Sequence, residues 1–457
     1  MIRDRQGENR VFGLALFVAS FALRFLVARL VAGEPVWDGH YYDFGAHRIA
    51  EGHGYSDDRT VAGHLEWHPW CHYPVGYSGF LAAFYAVLGA HSWVAHLANA
   101  LTGAGLAVVS WLLGREAMTE RRARIAGVLT ALHPGLVLYG ALVMGELLSA
   151  LTTLGAFWLT IFLARRTSLL LAVAAGALLL GAGALVRPQA LLCVPFLALA
   201  GTARWKERLL PALAACAIAL LPVLPWTARN CKVMDSCALV STNAGWNLAI
   251  GAFPRATGRF ETLRSSDGCR EVTGQVQQDR CWMHYGLANI AATPGRWLGL
   301  VPAKLSNTFD HESFAVGYLH EARPDDWPDE RQTRWRAILS WTHRVLLGLA
   351  ALAFLARGHR VQYALVGLVV IGWGLAAHAD TPTFWPLVLV VCALAVLPLP
   401  GRPEARTALL LPVVLLATTA LTHAVFFGED RYHMVVTPAL CLLAAAVLRP
   451  GRVASEG

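Results

Sequence analysis

Apolar runs of about 20 residues, separated by short charged turns, recur along nearly the whole of this 457-residue chain. As helices, such runs are long enough to cross a hydrocarbon layer of roughly 30 Å. The pattern predicts twelve spans, near residues 11–32, 92–114, 124–144, 147–164, 168–186, 188–201, 208–228, 336–356, 361–378, 383–399, 406–427 and 431–448. The apolar run 74–90 (PVGYSGFLAAFYAVLGA) breaks the alternation if it spans, because it would carry Arg121, Arg122 and Arg124 to the wrong side. It is therefore expected to lie along the interface as a juxtamembrane or re-entrant helix. The expected fold is an all-α polytopic membrane protein of about twelve transmembrane helices, with juxtamembrane helices in the first outer loop. Three parts follow: residues 1–228 with that loop at 31–91, an outer segment at 229–335, and C-terminal helices over 336–457.

Composition agrees, at 56% hydrophobic and 15% charged residues with a mean hydropathy of +0.47. The net charge of +8 gathers in short turns: Arg115 to Arg124, Arg165–Arg166, Arg204 to Arg208, Arg357–Arg360, Arg402–Arg406, and Arg449 with Arg452. That is the positive-inside pattern and not a nucleic-acid footprint, and it puts both termini in the cytoplasm. The first apolar run is too long for a signal peptide and holds Arg24 and Arg29, so a retained signal-anchor helix is expected. Arg24 there would snorkel or reach a lipid phosphate, and Lys304 sits in an amphipathic interfacial stretch. Cys231, Cys237, Cys269 and Cys281 all fall in the outer segment, as suits an oxidising compartment. Local pairing, 231 with 237 and 269 with 281, is one of three ways to join them. Zinc at these four is disfavoured by the lack of C-x₂-C spacing. Cys71 is the odd one outside, while Cys193, Cys216, Cys392 and Cys441 read as packing residues of spans.

The loop after the first span is unlike a linker. Residues 31–74 carry seven acids (Glu34, Asp38, Asp43, Glu51, Asp57, Asp58, Glu66), two arginines and six histidines (His40, His47, His53, His64, His68, His72). Asp38 follows the first span by a few residues, at the depth where a base acting on a lipid-bound substrate belongs. Further ionisable residues recur at span ends on the same side: Glu146, Arg187, His378, Asp380, Glu429 and Arg431, with Tyr432. Charges near the membrane are costly unless paired, so a one-sided collection points to a shared cavity. The aromatic residues Trp37, Tyr41, Tyr42, Trp67, Trp70 and Tyr73 suit sugar stacking or an interfacial belt equally. His64, His68 and His72 have the i, i+4, i+8 spacing of a helical metal site, but Pro69 opposes a continuous helix. No cofactor is expected, with hydrogen bonding favoured over a divalent metal for these histidines.

Asp38, Tyr42, Ala46, Ile49, Gly52, Gly54 and Tyr55, followed by HYPVGYSGFLAAFY, resemble the first outer loop of GT-C glycosyltransferases. The similarity is to the branch of protein O-mannosyltransferases and aminoarabinose lipid A transferases. LHPGLVLYGALVMGELL, LVRPQALL, PWTARNCKVMDSCALVSTNAGWNLAIG and GEDRYHMVVTPAL also resemble that branch, in the same order. The resemblance implies a GT-C fold and an enzyme that takes a sugar from a polyprenyl-phosphate monosaccharide at the outer face. It maps the catalytic Asp onto Asp38. Two departures stand out. The usual two prolines are here Tyr73-Pro74-Val75-Gly76-Tyr77, and the acid often paired with the Asp is Gly39. The second departure leaves open whether Asp43 substitutes for the missing acid.

The chemistry points the same way. A phosphate leaves as a stable anion and needs no general acid, so one carboxylate base and cations for the leaving group suffice. Asp38 is the expected catalytic base. Arg187 and Arg431 are the expected phosphate clamps, with their fork geometry. Glu146 and Glu429 would orient an arginine or a sugar hydroxyl, and Asp43, His72, Tyr73 and Tyr432 complete the substrate site. The function expected is inverting transfer of a monosaccharide to a lipid, glycan or protein acceptor of the cell envelope. The setting is a bacterial inner membrane with the site facing the periplasm or exterior, and nucleic acid has no part. The alternatives are a transporter or flippase of a lipid-linked or small polar substrate, and a non-catalytic assembly or receptor protein. A transporter should hold its key polar residues near the bilayer midplane on broken helices, and here they sit at one side.

Overall fold

The computed structural model describes residues 2–61, 63–200, 205–355, 360–397 and 407–447. Arg204, Arg357, Arg402, Arg406, Arg449 and Arg452 of the expected cationic turns lie outside them. The chain is all-α apart from one hairpin. It opens with α1 (Ile2–Val31), α2 (Asp38–Ala50), strands β1 (Ser56–Val61) and β2 (His64–Pro69), α3 (Val75–Leu88), α4 (Ser92–Ala117) and α5 (Glu120–Leu132). Next come α6 (Pro134–Leu138), α7 (Glu146–Ala164), α8 (Leu169–Ala184), a 3₁₀ helix (Pro188–Ala200), α9 (Leu209–Leu220) and α10 (Leu224–Val233). Residues 244–322 form α11 (Ala244–Ala252), α12 (Gln275–Ala292), α13 (Pro294–Gly299), α14 (Val301–Phe309) and α15 (Phe314–Ala322). The last group is α16 (Asp329–Ala351), α17 (Arg360–His378), α18 (Pro386–Val396), α19 (Thr407–Val425), a second 3₁₀ helix (Asp430–Val435) and α20 (Thr437–Val447).

Each of the twelve predicted spans corresponds to helix, but they are not twelve uniform rods. Among the described residues, α1, α4, α7, α17 and α19 are long and apolar enough to cross a membrane alone. A sixth span forms if the pair Lys206–Leu220 and Leu224–Val233, bent by 43°, is one crossing. The bend falls at Leu221-Pro222-Val223, where proline removes a backbone donor and clashes with the preceding turn. Helices α8, α18, α20 and the 3₁₀ helix Pro188–Ala200 are apolar but shorter. The 13 residues of that 3₁₀ helix, at its rise of about 2.0 Å per residue, still reach about 26 Å. The chain is an integral, multi-pass membrane protein.

Helix α3 has 14 residues, about 21 Å of helix, which is short of a full crossing. It buries Tyr77, Leu81 and Tyr85 and packs on α2. Between α2 and α3 the sequence forms the hairpin, with Ser56 opposite Pro69 and Val61 opposite His64, turning at Gly63 (φ +82°). Helical expectations for this loop missed it. His64 and His68 consequently stand on a strand, so the three histidines do not align as on a helix.

The four cysteines of residues 229–335 form the two local disulfides, Cys231–Cys237 and Cys269–Cys281. Cys71, Cys193 and Cys441 are buried, but Cys216 is exposed on α9 and is no packing residue. Two buried cations also differ from expectation. Arg24 donates to the carbonyls of Thr130 (2.8 Å) and Ala131 (2.9 Å) at the end of α5, so it neither snorkels nor reaches a lipid phosphate. The four last carbonyls of a helix lack internal partners, and a cation there satisfies both the hydrogen bonds and the dipole. Lys304 does the same for α19, with its Nζ 3.0 Å from the Val425 carbonyl.

Candidate functional site

One end of the helix bundle collects the C-terminal end of α1, the start of α7, the end of α8 and the link from α19 to α20. These bring Asp38, Glu146, Arg187 and Arg431 together around a cavity of about 430 Å³, of which Asp38, Arg187 and Arg431 are lining residues. The opposite end holds charged turns closed on themselves, as in Arg115 with Glu120 (2.9 Å) and Arg165 with Glu116 (2.7 Å).

Asp38 is the first residue of α2, at the positive end of the helix dipole. The residue before it, Trp37, is the one non-glycine at positive φ (+51°) among the described residues. Such backbone costs on the order of 1–3 kcal/mol and persists only where the surroundings fix it. Here Trp37 packs on Phe314 and Tyr318, and the Tyr318 hydroxyl accepts from the Val36 amide at 3.2 Å. The same tyrosine explains Gly39. A Cβ at position 39 would stand 2.2 Å from the Tyr318 hydroxyl, so an acid cannot occupy it without displacing that ring.

The Asp38 carboxylate is held from both sides. Oδ1 accepts from the Tyr73 hydroxyl at 2.6 Å and Oδ2 from Arg431 Nη1 at 2.5 Å. Burial pushes its pKa up, but the Arg431 charge and the two hydrogen bonds outweigh burial and hold it below the usual carboxylate range. Asp38 is 22% exposed and Arg431 13%, so both reach the cavity without being free in solvent. Arg431 Nε also lies 2.5 Å from Glu429, an ion pair without hydrogen-bond angles. Burial drives Glu429 up to about 7 against the pull of Arg431. Burial likewise lowers His72, opposed by Asp38, and raises the Tyr73 hydroxyl.

Arg187 pairs with the fully buried Glu146, whose second oxygen has no partner among the described residues. Its guanidinium lies over the Tyr432 ring at 5.5 Å, and Arg431 lies over the same ring at 5.0 Å. Two arginines therefore face one cavity across a tyrosine. Arg431 is positioned by its own 3₁₀ helix. Next to it, Asp430 accepts from the Ser313 and Phe314 amides (2.8 Å to the latter) at the start of α15.

Asp38, His72, Tyr73, Arg187, Arg431 and Tyr432 line the cavity, and Glu146 and Glu429 stand behind its arginines. Asp43 does not join them. Five residues on from Asp38, it points about 140° round the helix, where it meets the Tyr85 hydroxyl and His47 at 3.5 Å. His378 and Asp380 are exposed and lie off the cavity. Of the aromatic set, Tyr42 and Tyr73 line it, whereas Trp70 is buried among Tyr41, Tyr55 and Tyr73, and Trp67 stacks on His53. Asn243, Trp246 and Asn247 of the STNAGWNLAIG segment, together with Gln189 and His423, line the cavity without having been singled out. The segment's clustered amides and tryptophan were the available signal for the first three.

Residues 72–228 match the family model described as dolichyl-phosphate-mannose-protein mannosyltransferase, which bears out the GT-C resemblance over that part of the chain. Among solved structures, the chain is similar to the archaeal oligosaccharyltransferase AglB from Archaeoglobus fulgidus in complex with an inhibitory peptide and a dolichol-phosphate. That similarity has a TM-score of 0.44 and 14% identity over 96% of this chain and 50% of that one. It is also similar to ArnT from Cupriavidus metallidurans bound to undecaprenyl phosphate, with a TM-score of 0.36 and 16% identity over 95% of this chain and 77% of that one. The chain thus spans about half the length of the archaeal enzyme. No curated protein matched the sequence.

Proposed function

We propose that the chain is an inverting membrane glycosyltransferase that moves one sugar from a polyprenyl-phosphate donor to a cell-envelope acceptor, which is a lipid, a glycan or a protein. The site faces outward, in the reading of a bacterial inner membrane opening on the periplasm. The observation that carries the proposal is a carboxylate, Asp38, pinned between Tyr73 and Arg431 on a cavity that a second arginine, Arg187, also lines.

In this mechanism the donor's phosphodiester sits between Arg187 and Arg431. A phosphate oxygen then competes with Asp38 for the Arg431 fork, and Oδ2 is released as a proton acceptor. The acceptor hydroxyl attacks the anomeric carbon from the Asp38 side. Its oxygen forms the new glycosidic bond and its proton passes to Asp38. The bond from the anomeric carbon to the phosphate oxygen breaks, and the electron pair leaves on the phosphate, whose growing charge the two arginines stabilise. One displacement inverts the anomeric centre, and a retaining route would need a second carboxylate in the cavity as nucleophile. Asp43 points elsewhere, and Glu146 and Glu429 are engaged with the arginines.

The test is transfer by purified protein in proteoliposomes, from a panel of labelled polyprenyl-phosphate monosaccharides, with the product anomer read by NMR. Asp38→Asn is expected to lose about 10²–10⁴ in rate while keeping measurable donor binding. Wild-type turnover by that variant, or a retained anomer, defeats the mechanism.

A further inference from the structure

Behind the 3₁₀ helix that carries Arg431 lies a second cluster of ionisable groups that the sugar-transfer site does not use. Glu312 comes from the turn between α14 and α15, His343 from the middle of α16, and His433 from the 3₁₀ helix itself, two residues past Arg431. All three are buried, at 1%, 0% and 0% exposure, and one ligand atom from each lies within 4.8 Å of the others.

The hydrogen bonds fix which nitrogens carry protons. A carbonyl only accepts, so His433 Nδ1–H donates to Thr308 (2.7 Å) and His343 Nε2–H donates to Phe309 (2.9 Å). In the neutral rings this leaves His433 Nε2 and His343 Nδ1 as bare lone pairs. His433 Nε2 faces Glu312 Oε2 at 3.4 Å, so two acceptors oppose each other inside the protein. Glu312 Oε1 and His343 Nδ1 have no hydrogen-bond partner among the described residues. Unpaired buried acceptors are costly, so this grouping calls for a positive species, a proton or a metal ion, between its members.

A divalent metal ion between them would be such a species. Two imidazoles and one carboxylate are a known zinc ligand set, with bonds of about 2.0–2.2 Å that put ligand atoms about 3.3–3.5 Å apart in a tetrahedron. The His433–Glu312 separation already has that value. The His343 and His433 rings stack with centroids 3.9 Å apart and 28° between their planes, so His343 has to turn its lone pair toward the ion and close in by up to about 1.3–1.5 Å from the outer limit of 4.8 Å. Both histidines donate their other ring N–H to a backbone carbonyl, the outer-shell partnership that orients metal-binding imidazoles. Gly135 makes the space, since a Cβ there would stand 1.8 Å from Glu312 Oε1.

We propose that Glu312, His343 and His433 bind a divalent transition-metal ion of the zinc class. This site is separate from the sugar-transfer cavity and from the loop histidines His64, His68 and His72. Its ion joins the α14–α15 turn and α16 to the short helix bearing Arg431, and so fixes that arginine from behind.

The experiment uses full-length protein purified in detergent without a polyhistidine tag. Metal content by mass spectrometry is expected at about one zinc per chain, and Co²⁺ exchange should give the visible absorption bands of a low-coordinate cobalt site. The near-isosteric variants Glu312→Gln and His433→Asn should each weaken metal binding at least about tenfold, the lower bound of the effect of changing an outer-shell partner. The pair His64→Gln and His68→Gln should leave it unchanged. Wild-type protein without bound zinc and without cobalt bands overturns the proposal, because a shared proton then satisfies the cluster. Metal lost on changing the loop histidines and kept in Glu312→Gln overturns it as well. Should the cluster variants fail to fold, the wild-type metal content and cobalt spectrum decide.

Discussion

Replacing Arg431 by glutamine tests the electrostatic core of the site. Its guanidinium contacts Asp38 at 2.5 Å and Glu429 at 2.5 Å, so one cation serves two carboxylates. With charge centres about 4 Å apart and an effective dielectric constant of about 20, the Asp38 interaction is on the order of 4 kcal/mol, or about 3 pKa units at most. Measured effects of one close opposite charge run at about 1–3 units. In the wild type, Arg431 and Tyr73 outweigh burial and hold Asp38 low. Without Arg431 burial prevails and the carboxyl titrates higher. Since the base must be ionised, the acid limb of the rate profile should move to higher pH by about 1–3 units. The maximal rate should fall by about 10²–10³, as when one electrostatic stabiliser of a developing anion is removed. Arg187→Gln is the control. Arg187 is bound to Glu146 and not to Asp38, so that variant should lose donor affinity and rate while the acid limb stays. The assay is initial transfer rate against pH for all three proteins. An acid limb in Arg431→Gln that coincides with the wild type would refute the assignment of Asp38 as the titrating base.

Three further outcomes follow from the same contacts. Glu429, raised to about 7 by burial, is neutral below that pH and leaves more of the Arg431 charge for a phosphate. Donor affinity should therefore fall as pH rises through about 7, and Glu429→Gln should flatten the dependence in an equilibrium binding assay. Gly39→Ala puts a Cβ 2.2 Å from the Tyr318 hydroxyl, which should cost about 1–3 kcal/mol by overpacking, read as a lower Tm in detergent. Arg24→Met should lower Tm by stranding the Thr130 and Ala131 carbonyls, at about 1–3 kcal/mol each, while donor Kd stays put. A weakened Kd would return Arg24 to the phosphate.

What could be read from the sequence follows the range of the forces involved. Hydropathy is local, so the helices of the twelve apolar spans were visible while α11, α12 and α15 were not, and the common sidedness of Asp38, Glu146, Arg187, Glu429 and Arg431 followed from counting charged turns. Partners were not visible, because pairing is set by three-dimensional neighbours. Arg24 lies within the apolar helix α1 and Arg187 just past the apolar helix α8. One is consumed by two backbone carbonyls and the other faces the cavity. Asp38 and Asp43 share a short helix, and only the rotation between them separates a cavity residue from a partner of Tyr85. Gly39 looked like a defect against the family pattern until Tyr318, 279 positions later, filled the space an acid would need. The GEDRYHMVV segment shows the limit most sharply. Its Glu429, Arg431 and Tyr432 stood out from the sequence, while His433 did not. On a 3₁₀ helix of about three residues per turn, positions two apart point to different sides. So Arg431 reaches Asp38 in the cavity and His433 reaches Glu312 behind it. A single short helix thereby carries both the cavity-facing Arg431 and His433 of the buried polar cluster.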